Sequence, residues 1–170
     1  MKVLMVIAPK GYRDEEFSKS AEVFEKSGVA YDVASTAAGD CEGMMGSVQN
    51  ASLAVADAKE ADYDALVICG GIGARDFLWT HEPLIELVKQ FNAKGKVIGA
   101  ICLAPVILAY ARVLDSIKAT VFDTPASVEL LRQSGAKYVK EAVVSDKNIV
   151  TGDHPVASVK FAQEILAKLN

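Results

Sequence analysis

Cys102 is the residue whose surroundings point most directly to chemistry. It lies in Lys96-Val97-Ile98-Gly99-Ala100-Ile101-Cys102-Leu103-Ala104-Pro105, where an apolar strand runs straight into a helix. Pro105 is tolerated early in that helix because first-turn N–H groups need no intrahelical partner. Gly99, Ala100 and Ala104 are small enough for a sharp, crowded turn. This is the layout of a nucleophile elbow, which projects the residue at the bend from the carboxyl end of a sheet. A helix N-terminus there offers positive potential, which lowers a thiol pKa and favours the thiolate. The competing reading makes Cys102 a small buried hydrophobe.

Three further groups could serve such a cysteine. In Leu66-Val67-Ile68-Cys69-Gly70-Gly71-Ile72-Gly73-Ala74-Arg75 a strand ends in paired glycines, whose amides can form an oxyanion hole with that of Leu103. The stretch lacks both the GxGxxG spacing and a GK[ST] ending, so a nucleotide site is not indicated. Asp14-Glu15-Glu16 follows the first strand. Acids there complement a helix dipole, and one of them could also hydrogen-bond a thiolate or act as acid/base. His154, in Thr151-Gly152-Asp153-His154-Pro155, follows the last strand and is a candidate acid/base, with Asp153 to orient it. His81, beside Glu82-Pro83, reads as a helix cap or surface residue. Cys69 reads as a packing residue and Cys41 as an exposed thiol in a polar loop.

The elements that must position these groups alternate along the chain. Apolar runs at Val3–Ala8, Ala30–Ser35, Ala65–Cys69, Val97–Cys102 and Ile149–Gly152 predict strands. Their continuous apolarity suits strands buried on both faces of a parallel sheet. Helical patterns occupy Asp14–Ser27, Glu82–Ala93, Ala104–Arg112, Pro125–Ser134 and Val156–Leu169, the first closed by Gly28. That order predicts an α/β fold, a doubly wound, mostly parallel sheet with helices on both faces. Gly39–Ala56 breaks the rhythm and predicts a short antiparallel excursion. With no repeat or linker, residues 1–170 read as one domain.

Composition narrows the function classes. Eighteen Lys plus Arg against 22 Asp plus Glu give a net charge of −4, and no basic run is interleaved with aromatics. That balance argues against nucleic acid and anionic membrane as partners. No run approaches the roughly 20 apolar residues of a membrane span. Three widely spaced cysteines suit neither a disulfide framework nor a CxxC metal site, and point to free thiols in a reducing cytoplasm. The two His and three Cys are too dispersed for a recognisable zinc site, and no cofactor is indicated.

Taken together, these stretches resemble the ThiJ/PfpI superfamily over essentially the whole chain. The resemblance rests on the first strand with its acid-rich turn, Ala51-Ser52-Leu53 before Ala65–Gly71, Gly70-Gly71 with Gly73-Ala74-Arg75, Ala100-Ile101-Cys102, and Val150-Thr151-Gly152. It implies a flavodoxin-like α/β/α sandwich with Cys102 as the elbow cysteine and Glu16 as the carboxyl that hydrogen-bonds it. It also implies Gly71 and Leu103 as oxyanion-hole amides, and a homo-oligomer, dimer or hexamer. Three positions depart from the family pattern. Leu103 stands where the protease branch has His, Phe122 where the glyoxalase/deglycase branch has His, and Asp153 where that branch has Arg. The implied activity is action on small reactive carbonyls through the Cys102 thiolate. Oxidation sensing or a chaperone-like role is the alternative, and PfpI-type peptidase activity ranks third because Leu103 removes its His.

Overall fold

The computed structural model describes residues 1–170. The central sheet is built from the apolar runs. Strands β1 (Lys2–Val6), β3 (Ala30–Ser35), β7 (Ala65–Ile68), β8 (Val97–Ile101) and β12 (Ile149–Gly152) carry it. The short β6 (Leu53–Ala54) and β11 (Val143–Asp146) close its edges, in the order β11-β12-β8-β7-β1-β3-β6. All pairings are parallel except β11–β12. Every residue of β7, β8 and β12 is buried, which is why their sequences are apolar, Thr151 excepted, rather than alternating.

Helices cover both faces. α1 (Asp14–Lys26) packs on α5 (Ser158–Leu169), which lies over β8 and β12. α2 (Glu82–Ala93) packs on β7, β8 and α3 (Pro105–Tyr110), and α3 packs on α4 (Pro125–Gln133). Each helix starts and stops for local reasons. Gly28, at φ +69°, ends α1 in the left-handed region that favours glycine. Thr124 and Ser127 form a reciprocal capping box at the start of α4. α5 begins two residues later than the apolar pattern suggests, because Pro155–Ala157 forms a 3-10 turn first.

The excursion at Gly39–Ala56 contains the expected antiparallel pair, β4 (Gly39–Gly43) with β5 (Val48–Ala51). It is also a sheet of its own, since β2 (Lys10–Tyr12) joins β4 in parallel. The sequence reading missed β2, and it missed the parallel pair β9 (Lys118–Ala119) and β10 (Lys137–Tyr138). Cys41 is corrected as well: it is 1 % exposed, not an exposed loop thiol. The pattern Asp40-Cys41-Glu42 alternates out, in, out along β4, so the sulfur points into the core.

One continuous apolar core runs from Val3 to Ile165 and includes Phe24, Phe91 and Phe161. Gly99 of β8 lets α5 approach closely: a β-carbon there would lie 2.5 Å from Ile165 Cδ1 and 2.9 Å from Phe161 Cζ. Phe161 is fully buried at this contact. Its replacement in Phe161→Ala is expected to cost about 3–5 kcal/mol in urea unfolding. A loss below about 1 kcal/mol would show that α5 is not seated on β8 in this way.

Candidate functional site

β8 delivers Cys102 to its carboxyl end, and the backbone there is strained. Cys102 has φ +62°, a conformation that costs an L-residue roughly 1–2 kcal/mol. Three hydrogen bonds hold it. The Cys102 N–H donates to Gly152 O at 2.9 Å, and its carbonyl accepts from the Phe122 N–H at 2.8 Å. The next carbonyl, of Leu103, accepts from the Trp79 indole N–H at 2.8 Å. Because the Cys102 carbonyl and the Leu103 N–H share one peptide plane, the bond to Phe122 turns that N–H the opposite way. It bears on the Cys102 sulfur, as does the Gly71 amide. α3 has only six residues, so these two fixed amides carry more of the local positive potential than its macrodipole does.

The paired glycines are required by contact. A β-carbon on Gly70 would lie 2.5 Å from Ile101 O, 2.8 Å from Cys102 Cβ and 2.9 Å from Glu16 Oε2. One on Gly71, which has φ +94°, would lie 2.5 Å from the Arg13 amide nitrogen. Gly70 also binds back to the start of α1, its carbonyl accepting from the Arg13 N–H at 3.1 Å.

The three acids of the first helical turn have separate tasks. Asp14 accepts from the amides of Met45 (2.8 Å) and Ser47 (3.0 Å) and from the Ser47 hydroxyl, so it fixes the turn between β4 and β5. Glu15 pairs with Arg13, accepting from Nε at 2.5 Å and from the other side of the fork at 3.3 Å. Glu16 is fully buried. Its Oε2 accepts from the Gly70 N–H at 2.5 Å, while Oε1 has no nitrogen or oxygen partner and the carboxyl meets the Cys102 thiol.

Burial raises the Glu16 carboxyl to about 8, against the opposing pull of the Gly70 amide and the Cys102 contact. The Cys102 thiol is pushed up by burial first and by the Glu16 charge second. The amides of Gly71 and Leu103 pull it down. The two groups titrate as a pair, and the Glu16 contribution to the thiol depends on whether Glu16 is ionised.

A cavity of about 210 Å³ opens onto the sulfur. Besides Cys102, it is lined by Arg13, Met44, Gly71, Leu103, Phe122, His154 and Pro155. The structure thus brings Cys102, Gly71, Leu103 and His154 to one cavity, with Glu16 beneath it. Asp153 does not line it and makes no hydrogen bond to His154. The His154 ring is held instead by its Nδ1, which accepts from the Val156 N–H at 3.2 Å, and by stacking on Phe122 at 5.9 Å between centroids. With Nδ1 accepting, the neutral ring carries its proton on Nε2 and presents a donor. Asp153 is pushed up by partial burial, opposed by His154. His81 stands at the N-cap of α2 without a side-chain capping bond, and its Nε2 is buried and unpaired. No three His, Cys, Asp or Glu side chains gather where they could hold a metal ion.

Sequence reasoning missed Arg13, Met44 and Trp79. Trp79 had a signal: it is the sole tryptophan of an aliphatic chain, and it caps the π-helical turn Ala74–Leu78 directly after the glycines.

Two measurements follow from this geometry. A carboxyl raised from 4.5 unfolded to about 8 folded favours the folded state below pH 4.5, and that advantage is lost as pH rises to 8. The melting temperature of wild type relative to Glu16→Gln should therefore fall across pH 4.5–8 and level off above; a constant difference would place the carboxyl at its ordinary value. Trp79→Phe removes the donor to Leu103 at a stability cost of about 1 kcal/mol. It should move the pH profile of Cys102 alkylation upward, whereas an unmoved profile would mean that Leu103 keeps its place without the indole.

The chain matches the DJ-1/PfpI family over residues 1–168. It is 47% identical over 165 residues to an uncharacterized protein of Methanocaldococcus jannaschii, covering 97% of this chain and 80% of that one. It is 31% identical over 155 residues to a deglycase of Thermococcus kodakarensis, covering 91% of each. The crystal structure of a ThiJ/PfpI domain protein from Brachyspira murdochii superposes with a TM-score of 0.94 at 32% identity, over 99% of this chain and 96% of that one. With its parallel sheet, its strained cysteine elbow and a match along nearly its full length, the chain belongs to the DJ-1/PfpI family.

Proposed function

We propose that this protein acts on small reactive carbonyl compounds through Cys102, in the manner of a glyoxalase or deglycase. The observation that carries the reading is the buried Glu16 carboxyl beside the Cys102 thiol, with two backbone amides on the same sulfur. A carboxyl poised at about 8 has both forms present near neutral pH, as a proton shuttle requires. The similarity to a deglycase points the same way.

With a 2-oxoaldehyde, the carboxylate form of Glu16 takes the thiol proton as sulfur adds to the aldehyde carbon. The resulting oxyanion is stabilised by the Gly71 and Leu103 amides and protonated to a hemithioacetal. Glu16 then moves the proton on that carbon to the adjacent carbonyl carbon through an enediol, leaving a thioester. Water hydrolyses the thioester to a 2-hydroxy acid and frees the thiol. The sequence is redox-neutral overall, and no amine leaving group has to be protonated. That matters because the side chains of Leu103 and Phe122 supply no proton.

The same reading extends to a homo-oligomer, supported by the exposed apolar Met44, Met45 and Val48 beside the cavity. A second reading, oxidation of Cys102 to a sulfinate as a stress signal, is favoured by the burial of Cys41 and Cys69, which leaves no accessible thiol to form a disulfide. Turnover of methylglyoxal separates the two. Cys102→Ser is expected to lower kcat/KM by at least about 100-fold. Equal rates would remove Cys102 from the reaction, and gain of two oxygens at Cys102 without turnover would favour the sensor.

A further inference from the structure

The wall of the Cys102 cavity carries a charge that the chemistry above does not use. Among its eight lining residues Arg13 is the one permanent cation, and none is a carboxylate. The remainder are apolar or aromatic side chains, backbone amides, the thiol and His154. Arg13 is held at this place by its position directly before α1 and by its N–H bond to Gly70. Glu15 occupies Nε and Nη2 of the guanidinium, and no protein group accepts from Nη1. The Arg13 charge acts on the buried Glu16 carboxyl, so it lies within electrostatic reach of the reacting pair. His154 also lines the cavity, its Nδ1 engaged by the Val156 N–H.

We propose that Arg13 is a specificity-determining residue that selects carbonyl compounds bearing an anionic group, a carboxylate above all, close to the carbon attacked by Cys102. This rests on the carbonyl reading and narrows it to a substrate class. A cavity of about 210 Å³ admits only a small ligand, so a carbonyl seated at the sulfur keeps its other end near the walls. A carboxylate there meets a guanidinium donor already oriented by Glu15, and pairing with Arg gains from both charge and planar geometry. A neutral carbonyl of the same size forms the same bond to sulfur but leaves that donor unused.

The test compares two aldehydes of similar size, glyoxylate and neutral glycolaldehyde. Each adds reversibly to Cys102, with the sulfur–carbon bond formed and the carbonyl oxygen protonated, and so protects the thiol from iodoacetamide. In wild type at low salt, glyoxylate should protect at about tenfold lower concentration than glycolaldehyde, as expected for a hydrogen bond to a charged group. Read as the ratio of the two protecting concentrations, in which any common shift of the Glu16–Cys102 pair cancels, that difference should be erased in Arg13→Gln, partly restored in Arg13→Lys and kept in Glu15→Gln. Equal protection by the two aldehydes in wild type, or a preference that persists in Arg13→Gln, would overturn the inference and leave the carbonyl reading standing. Absence of protection by either would overturn both.

Discussion

A carboxyl buried without a cationic partner normally opposes folding, and Glu16 is such a group. It lies at the centre of the sheet's carboxyl edge, contacting a thiol and one backbone amide. Most of the local architecture follows from accommodating it. Gly70 has no side chain because Glu16, Ile101 and Cys102 fill that space. The helix begins at Asp14 so that its third residue points inward while the two before it bind the β4–β5 turn and Arg13. Burial keeps the carboxyl protonated up to about pH 8, and a protonated carboxyl can neighbour a nascent thiolate where a carboxylate would repel it.

The same edge stores backbone strain at Cys102. A left-handed cysteine persists only where its surroundings over-determine it. Here Gly152, Phe122 and Trp79, from three different segments, bind the carbonyls and amide of the bend. The sheet order explains why such distant residues meet: β12 and β7 flank β8, so the loops after all three open at the same edge. Ligand sites of open parallel sheets lie at that edge for the same reason. No helix of the chain is long and apolar enough to cross a membrane.

Much of this was legible in the sequence. The central strands and the elbow announce themselves because burial on both faces demands unbroken apolar runs, and a tight turn demands small residues around Cys102. Gly70-Gly71 was legible as a close approach, although what approaches it was not. Charge alone narrowed Glu16 only to a triplet, since Asp14, Glu15 and Glu16 differ in burial and not in type, and it was the family resemblance that singled it out. β2 and β11 were invisible because three- and four-residue strands with polar members carry almost no periodic signal. Cys41 was misread because two acids around it suggested a loop, when the alternation marked a half-buried strand. Arg13 and Met44 reach the cavity through tertiary packing of β2, α1 and the β4–β5 turn, which no local pattern encodes.

The account depends most on one electrostatic coupling, in which the charge state of Glu16 governs the ionisation of Cys102. Its most direct measurement is the rate of Cys102 alkylation against pH in wild type and Glu16→Gln, followed by intact mass. Glutamine keeps a hydrogen-bonding group of nearly the same shape but cannot ionise. Because the Glu16 charge raises the Cys102 thiol, the Glu16→Gln profile should lie at lower pH than wild type, with the gap widest above pH 8. Coincident profiles, both with a single step near the ordinary thiol value of about 8.5, would contradict it.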